Sequence, residues 1–360
     1  MSNLVLHVTG ARPNFPKAAP VIRALAERGV AQELVHTGQH YDDRLSEIFF
    51  RELDLPQPRV NLGVGSDTAA RQTAAIMVGL EGLLIDRAPA LVVVYGDVNS
   101  TVAAALVTAK LRIPLAHVEA GLRSFDLTMP EEINRIVTDR LATLLFATSP
   151  DAIGHLGNEG ISPYKIYFVG NPMIDTLLAN LDRFDADSAR SAHGLPDRYA
   201  VATLHRPGNV DDPADAEALV KAMHGVADQV DVVLPLHPRG RERLRAARLF
   251  EHPRLRVIEP IGYVEFLGLV RGALAVVTDS GGVQEETTIL GVPCLTLRPN
   301  TERPITITQG TNQLVTRESL PERMAAVLAA GRADSWPVPP LWDGKAGPRI
   351  AEVIAAGLDA

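Results

Sequence analysis

Short β-branched apolar runs alternate with helix-length amphipathic segments along almost all of this chain, and the alternation occurs twice. Runs that read as strands lie at 4–10, 33–38, 90–96, 114–119, 144–149 and 166–170. A second series lies at 199–205, 230–237, 255–260, 273–280, 293–297 and 312–316. Between them, stretches such as TAARQTAAIMVGLEGLLIDR repeat apolar residues at three- and four-residue spacing, the helical period. Apolar strands separated by helices imply parallel sheets covered on both faces. The pattern pauses at LDRFDADSARSAHGLPDR, a charged stretch broken by Gly and Pro that reads as a link. The expected architecture is therefore α/β, with two doubly wound domains facing across a cleft. The first covers 1–180, the link 181–198, the second 199–340, and a terminal helix of unknown docking covers 345–360. A length of 360 residues agrees, because one core rarely organises more than about 250–300 residues.

Charge and composition exclude several classes. A net charge of −8 argues against a general nucleic-acid binder and against adhesion to a membrane. No apolar run approaches the roughly 20 residues of a membrane span. The start, MSNLVLHVTG, has no basic region and no cleavage site, so the expectation is a soluble cytoplasmic protein without a signal peptide. Cys294 is the only cysteine, which rules out an intrachain disulfide and a thiolate zinc site; within GVPCLTL it reads as a buried strand residue.

Doubly wound sheets bind ligands beyond the carboxyl ends of their strands, so the loops at those ends are where function should be written. They read TGARPNFPK (9–17), TGQHYDD (37–43), YGDVNST (95–101) and HVEAGLR (117–123) in the first half. In the second they read LHRPGN (204–209), LHPRGRER (236–243), TDSGGVQEE (278–286) and RPNTERP (298–304). Ser280, Gly281 and Gly282 join a strand to a helix, which aims free backbone N–H groups and a helix dipole at one anion. Glu286 follows one helical turn later, where a carboxylate accepts from a ribose diol. GARPNFPK lacks both the Gly-Lys-Ser/Thr ending of a P-loop and a G-x-G-x-x-G fingerprint; Arg12 reads instead as a clamp on phosphate oxygens. His205 reads either as a satisfied structural histidine or, at a strand end facing a phosphate loop, as a donor to a leaving group, and His237 is the weaker of the two histidines.

The stretch HVEAGLRSFDLTMPEEINR concentrates Glu119, Arg123, Asp126, Glu131, Glu132 and Arg135 directly after an apolar run. Pro130 at a first helical turn, followed by acids near the positive end of the dipole, explains one of Glu131 and Glu132 by ordinary helix-start chemistry, and Glu132 is assigned that role. It does not explain Glu119. Asp97 reads either as a cap for the helix beginning near Val98 or as a partner of Glu119 and Glu131. Three such carboxylates lack a metal-ligand spacing, and no metal is expected.

Taken in order, GARPNFPK, TGQH, GDVNST, HVEAGLR, MPEEINR, LHRPGN, TDSGGVQEE, LGVPCLTLR and TERP…GTN resemble the non-hydrolysing UDP-N-acetylglucosamine 2-epimerases. The resemblance runs over nearly the whole chain. It implies a GT-B architecture of two Rossmann-like domains and interconversion of UDP-GlcNAc and UDP-ManNAc with no dissociable cofactor. It implies Asp97, Glu119, Glu131 and His205 as catalytic residues. Arg12, Lys17, Arg135, Phe266, Ser280, Gly281, Gly282, Glu286 and Arg303 are then substrate-binding residues. It further implies a homodimer and a second UDP-GlcNAc bound as activator, with Gln39, Arg71, Arg206 and His237 as its contacts. TGQHYDD and GARPN depart from the family's commoner QHR and GTRPE forms.

That chemistry answers why Glu119 follows a strand. The C2 proton of an N-acetylhexosamine is weakly acidic, so its removal is coupled to departure of UDP from C1, leaving a 2-acetamidoglucal. Re-addition with a proton on the opposite face inverts C2. Acid/base groups are needed on both faces, with positive charge around the departing diphosphate. The alternatives are a hydrolysing epimerase that releases ManNAc and UDP, a GT-B UDP-sugar glycosyltransferase, and a non-catalytic sensor of nucleotide sugars.

Overall fold

The computed structural model describes residues 3–39, 43–204, 213–236 and 238–358. The chain divides into two compact units, Met1–Ala179 with Pro340–Ala360, and Asn180–Pro339. In the first, strands β1 (Val5–Thr9), β2 (Gln32–His36), β3 (Val60–Asn61), β4 (Leu91–Tyr95), β5 (Leu115–Ala120), β6 (Leu144–Ala147) and β7 (Ile166–Phe168) form one sheet of order β3-β2-β1-β4-β5-β6-β7. In the second, β8 (Tyr199–Thr203), β9 (Asp231–Pro235), β10 (Leu255–Ile258), β11 (Val276–Thr278), β12 (Cys294–Leu297) and β13 (Asn312–Val315) follow the order β10-β9-β8-β11-β12-β13. Every pairing is parallel.

The expected strands are present, joined by β3, whose two residues are too short to show a period. Both sheets reverse their winding at one place, between β1 and β4 and between β8 and β11, and such reversals open the crevices that hold ligands. All five residues of β4 (LVVVY) are buried, as a central strand covered by helices requires. Each unit has its own apolar core, one around Leu6, Val92, Val94 and Ile76, the other around Ala200, Val232, Val277 and Leu295. Among the described residues no helix is long and apolar enough to cross a membrane.

The stretch read as a link and the terminal helix, whose docking the sequence left open, both join one of the two units. The stretch read as a link contains a turn at Leu181–Arg183 and a helix, Ala186–Ala192, which packs on the helix Tyr263–Gly272 of the second unit; Gly268 there faces the Asp185 carbonyl and Ala189. The terminal helix Ala346–Leu358 returns to the first unit and lies against the helix Phe15–Glu27. Contact is close enough that a Cβ on Gly347 would lie 2.6 Å from the Pro20 carbonyl oxygen. The Gly347 N–H donates to Asp175 Oδ2 at 2.7 Å, and Trp342 Nε1 donates to the Thr148 carbonyl at 2.9 Å. Burial pushes the Asp175 carboxyl up to about 6, against the backbone N–H groups of Gly347 and Ala346.

The sequence FPKAAP carries a proline inside the helix Phe15–Glu27. Pro20 has no N–H, so the Pro16 carbonyl one turn earlier loses its helical donor. The Thr176 hydroxyl replaces it at 2.6 Å and ties Pro172–Ala179 to this helix. Thr176→Val keeps the shape and strands that carbonyl, so it is expected to cost about 1–3 kcal/mol in urea unfolding. An unshifted midpoint would show that the carbonyl does not depend on Thr176.

Candidate active site

At the β1–β4 reversal the chain is stitched by one side chain. Asn14 Oδ1 accepts the N–H groups of Gly10 and Ala11, each at 3.0 Å, and its Nδ2 donates to the Tyr95 carbonyl at 2.7 Å. This fixes the turn Arg12–Asn14 and starts the helix Phe15–Glu27, which buries Lys17 in its first turn. Lys17 Nζ bonds Glu119 Oε2, and the two residues are 4% and 3% exposed. Glu119 sits where the register of β5 against β6 shifts, between Val118 and Ala120, with φ of 74°. A left-handed backbone costs a non-glycine residue about 1–2 kcal/mol, so the ion pair and neighbouring contacts must hold it. Gly96 (φ 64°) lies directly under the pair: a Cβ there would meet Lys17 Nζ at 2.9 Å and Glu119 Oε2 at 3.0 Å.

The helix Pro130–Leu141 begins as its sequence implies, with Pro130 first and two acids in the first turn. Glu132, however, is not a helix-start acid alone. It is 1% exposed and accepts the N–H of Ser124 at 3.0 Å, the N–H of Phe125 at 2.9 Å and Arg135 Nε at 3.2 Å. Its carboxylate folds the preceding loop back onto the helix. Glu131, half-buried, has no such partner among the described residues. Asp97 does not cap the helix Asn99–Leu111, whose N-cap is Val98. Instead its Oδ2 accepts Arg135 NH1 at 2.8 Å, and its carbonyl accepts Asn134 Nδ2 at 2.8 Å. Arg135 NH2 is buried with no hydrogen-bond partner among the described residues, a donor available to an anionic ligand. Glu131 and Arg135, four residues apart, share one helix face. The first unit thus brings Lys17, Asp97, Glu119, Glu131 and Arg135 to neighbouring strand ends.

In the second unit a strand-to-helix turn follows β11. Thr278 Oγ1 bonds Thr203 Oγ1 across to β8 at 2.6 Å and accepts the Ser280 N–H at 3.0 Å. Ser280 is the N-cap of the helix Gly281–Leu290. The first N–H groups of a helix have no partner within it, so this end attracts negative charge. A Cβ on Gly281 would lie 2.3 Å from Arg303 NH1, so a larger residue there would push the guanidinium aside. The Arg303 guanidinium is held there by Glu285, 3.0 Å from its Nε, and by Glu302; Arg298 in turn bonds Glu302 at 2.6 Å. Below the loop, Gln284 accepts from Thr301 and Asn312 at 2.7 and 3.0 Å and donates to the Ser280 carbonyl at 3.2 Å. Glu286 is buried, and burial together with nearby Glu285 pushes its carboxyl up to about 8 while a hydrogen bond with Tyr263 opposes the rise. Phe266 lies half-buried on the Tyr263 helix.

His205, Arg206 and His237 fall outside the described residues. Arg12 is half-buried in its turn. Gln39 is buried, and its Oε1 accepts the N–H and hydroxyl of Ser100 at 3.0 and 2.7 Å, while Arg71 is exposed on the helix Ala69–Arg87. Sequence reading missed the structural work of Glu132 and a buried network of His117, Asp139 and Arg123. A signal was present: His117 precedes Glu119 by two residues on one strand face, and Asp139 follows Arg135 by four on one helix face.

Comparison with known proteins bears on this arrangement. The sequence profile of the family described as UDP-N-acetylglucosamine 2-epimerase matches residues 23–355. The UDP-N-acetylglucosamine 2-epimerase of Methanocaldococcus jannaschii is 41% identical over 362 residues, covering 97% of this chain and 98% of that protein. A UDP-2,3-diacetamido-2,3-dideoxy-D-glucuronate 2-epimerase of Pseudomonas aeruginosa is 42% identical over 359 residues, covering 98% and 99%. The crystal structure of the M. jannaschii enzyme in complex with UDP-GlcNAc and UDP superposes with a TM-score of 0.92, covering 98% of this chain and 100% of that one.

Two measurements probe the site's electrostatics. Glu132→Ala leaves two backbone donors and Arg135 Nε without their acceptor, and is expected to cost about 3 kcal/mol or more in urea unfolding; a loss under about 1 kcal/mol would return Glu132 to a simple helix-start role. Glu286 holds a proton in the folded state up to about 8, whereas the unfolded chain releases it near its ordinary 4.5. Its contribution to stability is therefore largest below about 4.5, falls as pH rises through that window, and is flat above about 8. Wild-type stability should accordingly fall relative to Glu286→Gln between pH 5 and 8 in urea titrations, and a parallel pair of curves would contradict the burial argument.

Proposed function

Because the chain belongs to the UDP-N-acetylglucosamine 2-epimerase family, we propose that it inverts C2 of UDP-GlcNAc to give UDP-ManNAc, reversibly and without hydrolysis. The observation that carries this reading is the arrangement at the β1–β4 reversal. Two carboxylates, Asp97 and Glu119, are each bonded to a buried cation, and a third, Glu131, shares a helix face with Arg135 and has no partner among the described residues. A glycosyltransferase needs one base for an acceptor hydroxyl; inversion at C2 needs proton transfer on both faces.

In this mechanism the uridine diphosphate takes the loop Ser280, Gly281 and Gly282, with Glu286 on the ribose, Arg303 and Arg12 on phosphate oxygens, and Phe266 against the nucleotide. His205 protonates or bonds the departing diphosphate. Proton removal from C2 by one carboxylate expels UDP and leaves 2-acetamidoglucal; UDP re-adds at C1 while another carboxylate delivers a proton to the opposite face of C2. Lys17 and Arg135 stabilise the carboxylates and the charge that develops in the transition state. Retention of UDP beside the glucal, with water excluded, separates epimerisation from hydrolysis. The UDP-GlcNAc and UDP bound in the M. jannaschii structure support a nucleotide-sugar ligand.

The similarity to the Pseudomonas enzyme supports a second substrate reading, the same inversion on a 2,3-diacetamido uronate. We further propose a cytoplasmic homodimer that supplies cell-surface polysaccharide synthesis and takes a second UDP-GlcNAc as activator at Gln39, Arg71, Arg206 and His237.

In D₂O the enzyme is expected to place deuterium at C2 of both UDP-sugars with no added nicotinamide, read by NMR of sugar and free UDP. Glu119→Gln and Glu131→Gln should slow this incorporation by roughly 10²- to 10⁴-fold while largely sparing UDP affinity. Full retention of protium would exclude the mechanism. Release of free ManNAc with UDP would assign the hydrolysing reaction, and turnover of the uronate alone would assign the second substrate.

A further inference from the structure

The three carboxylates proposed to act at C2 sit on three separate elements: Asp97 on the turn after β4, Glu119 at the end of β5, and Glu131 on the helix Pro130–Leu141. One buried node reaches all three. Asp139 lies on the same helix as Glu131, eight residues on, and its Oδ1 accepts from His117 Nδ1 at 2.6 Å. Its Oδ2 accepts the Gly121 N–H at 3.1 Å and pairs with Arg123 NH1 at 2.7 Å. His117 and Gly121 bracket Glu119 in the chain, so one carboxylate grips the strand on both sides of its left-handed residue. From its other edge the His117 ring bonds the Gly96 carbonyl at 2.8 Å, immediately before Asp97. His117 and Asp139 are both fully buried.

Hydrogen-bond accounting determines how this node works. A backbone carbonyl can only accept, and Asp139 spends both oxygens as acceptors. Burial raises the Asp139 carboxyl, but His117 and Arg123 outweigh burial and hold it below the ordinary carboxylate range. The His117 ring is thereby held at both edges, by Asp139 at Nδ1 and by the Gly96 carbonyl at Nε2. Such a node has no slack: loss of any member leaves a buried polar group unmatched. The backbone it holds is also unable to hold itself, because Glu119 at φ 74° is a conformation that surrounding contacts must impose.

We propose that His117 and Asp139 are positioning residues for the C2 chemistry, fixing the spacing of Glu119, Asp97 and Glu131 by clamping β5, the Gly96 turn and the helix Pro130–Leu141 to one another. This rests on the epimerase reading above. Neither residue touches substrate; they act through the backbone that carries the carboxylates. A displacement of about 1 Å in such groups costs roughly 10²-fold in rate.

The test is Asp139→Asn in the full-length chain, which keeps the size and replaces one acceptor by a donor. Turnover of UDP-GlcNAc should fall roughly 10²-fold, with KM and the calorimetric affinity for UDP little changed and the protein folded at the assay temperature. Unchanged turnover in the folded variant overturns the proposal. So does a loss of turnover matched by an equal loss of UDP affinity, which would mark a general fold defect. Should the variant not fold, His117→Gln serves in its place: a roughly 10²-fold loss of turnover with UDP affinity retained supports the clamp, and unchanged turnover overturns it. A wild-type chain that turns over neither UDP-GlcNAc nor the diacetamido uronate overturns the epimerase reading instead, a result visible before any variant is made.

Discussion

The buried contact between Lys17 and Glu119 ties the helix Phe15–Glu27 to the end of β5 in the first unit. An ammonium and a carboxylate that are each almost wholly removed from water are tolerable only together, since either alone would cost several kcal/mol. Lys17 must therefore arrive from the first turn of the helix Phe15–Glu27, and Glu119 from a strand end bent into a left-handed backbone. Space for both exists only because residue 96 has no side chain. The same helix accepts Thr176 at its proline defect and receives the terminal helix at Gly347, so the packing of that side of the unit follows from where Lys17 has to be.

The second unit solves a comparable problem with a guanidinium in place of the ammonium. The N-terminus of the helix Gly281–Leu290 lies beside Arg303, and an unpaired guanidinium so buried would cost several kcal/mol. Glu285 and Glu302 neutralise it, and Arg298 balances Glu302. In both units these charged groups are oriented by protein counter-ions. Donors already oriented need little reorganisation as charge develops in a transition state, which is where fixed dipoles contribute most to rate. Glu286 is the exception, a carboxyl kept neutral by burial, and a neutral carboxyl can donate as well as accept.

The adjacent pair Glu131 and Glu132 shows where the two levels of information separate. Their positions after Pro130 make them indistinguishable as helix-start acids. On the helix they point roughly 100° apart, and only one of these directions meets the folded-back loop at Ser124 and Phe125. Which of the two is bonded depends on where that loop goes, and the loop's path is set by contacts far along the chain, such as Arg123 with Glu159.

The sequence by itself determined the two α/β units, the strands long enough to show a period, the glycine loop at Ser280–Gly282, and the suspicion attached to Glu119. These are local properties: apolar spacing reports the period of a strand or helix, and a polar residue after a buried strand has to emerge at a sheet edge. Only the tertiary structure decided that Asp97 bonds Arg135 rather than capping its helix, that Glu132 is structural, and that His117 and Asp139, 22 residues apart, meet in the core. It also decided where the terminal helix docks. Charge pairing and desolvation are set by the neighbours that folding supplies, and residue spacing along the chain carries no record of them.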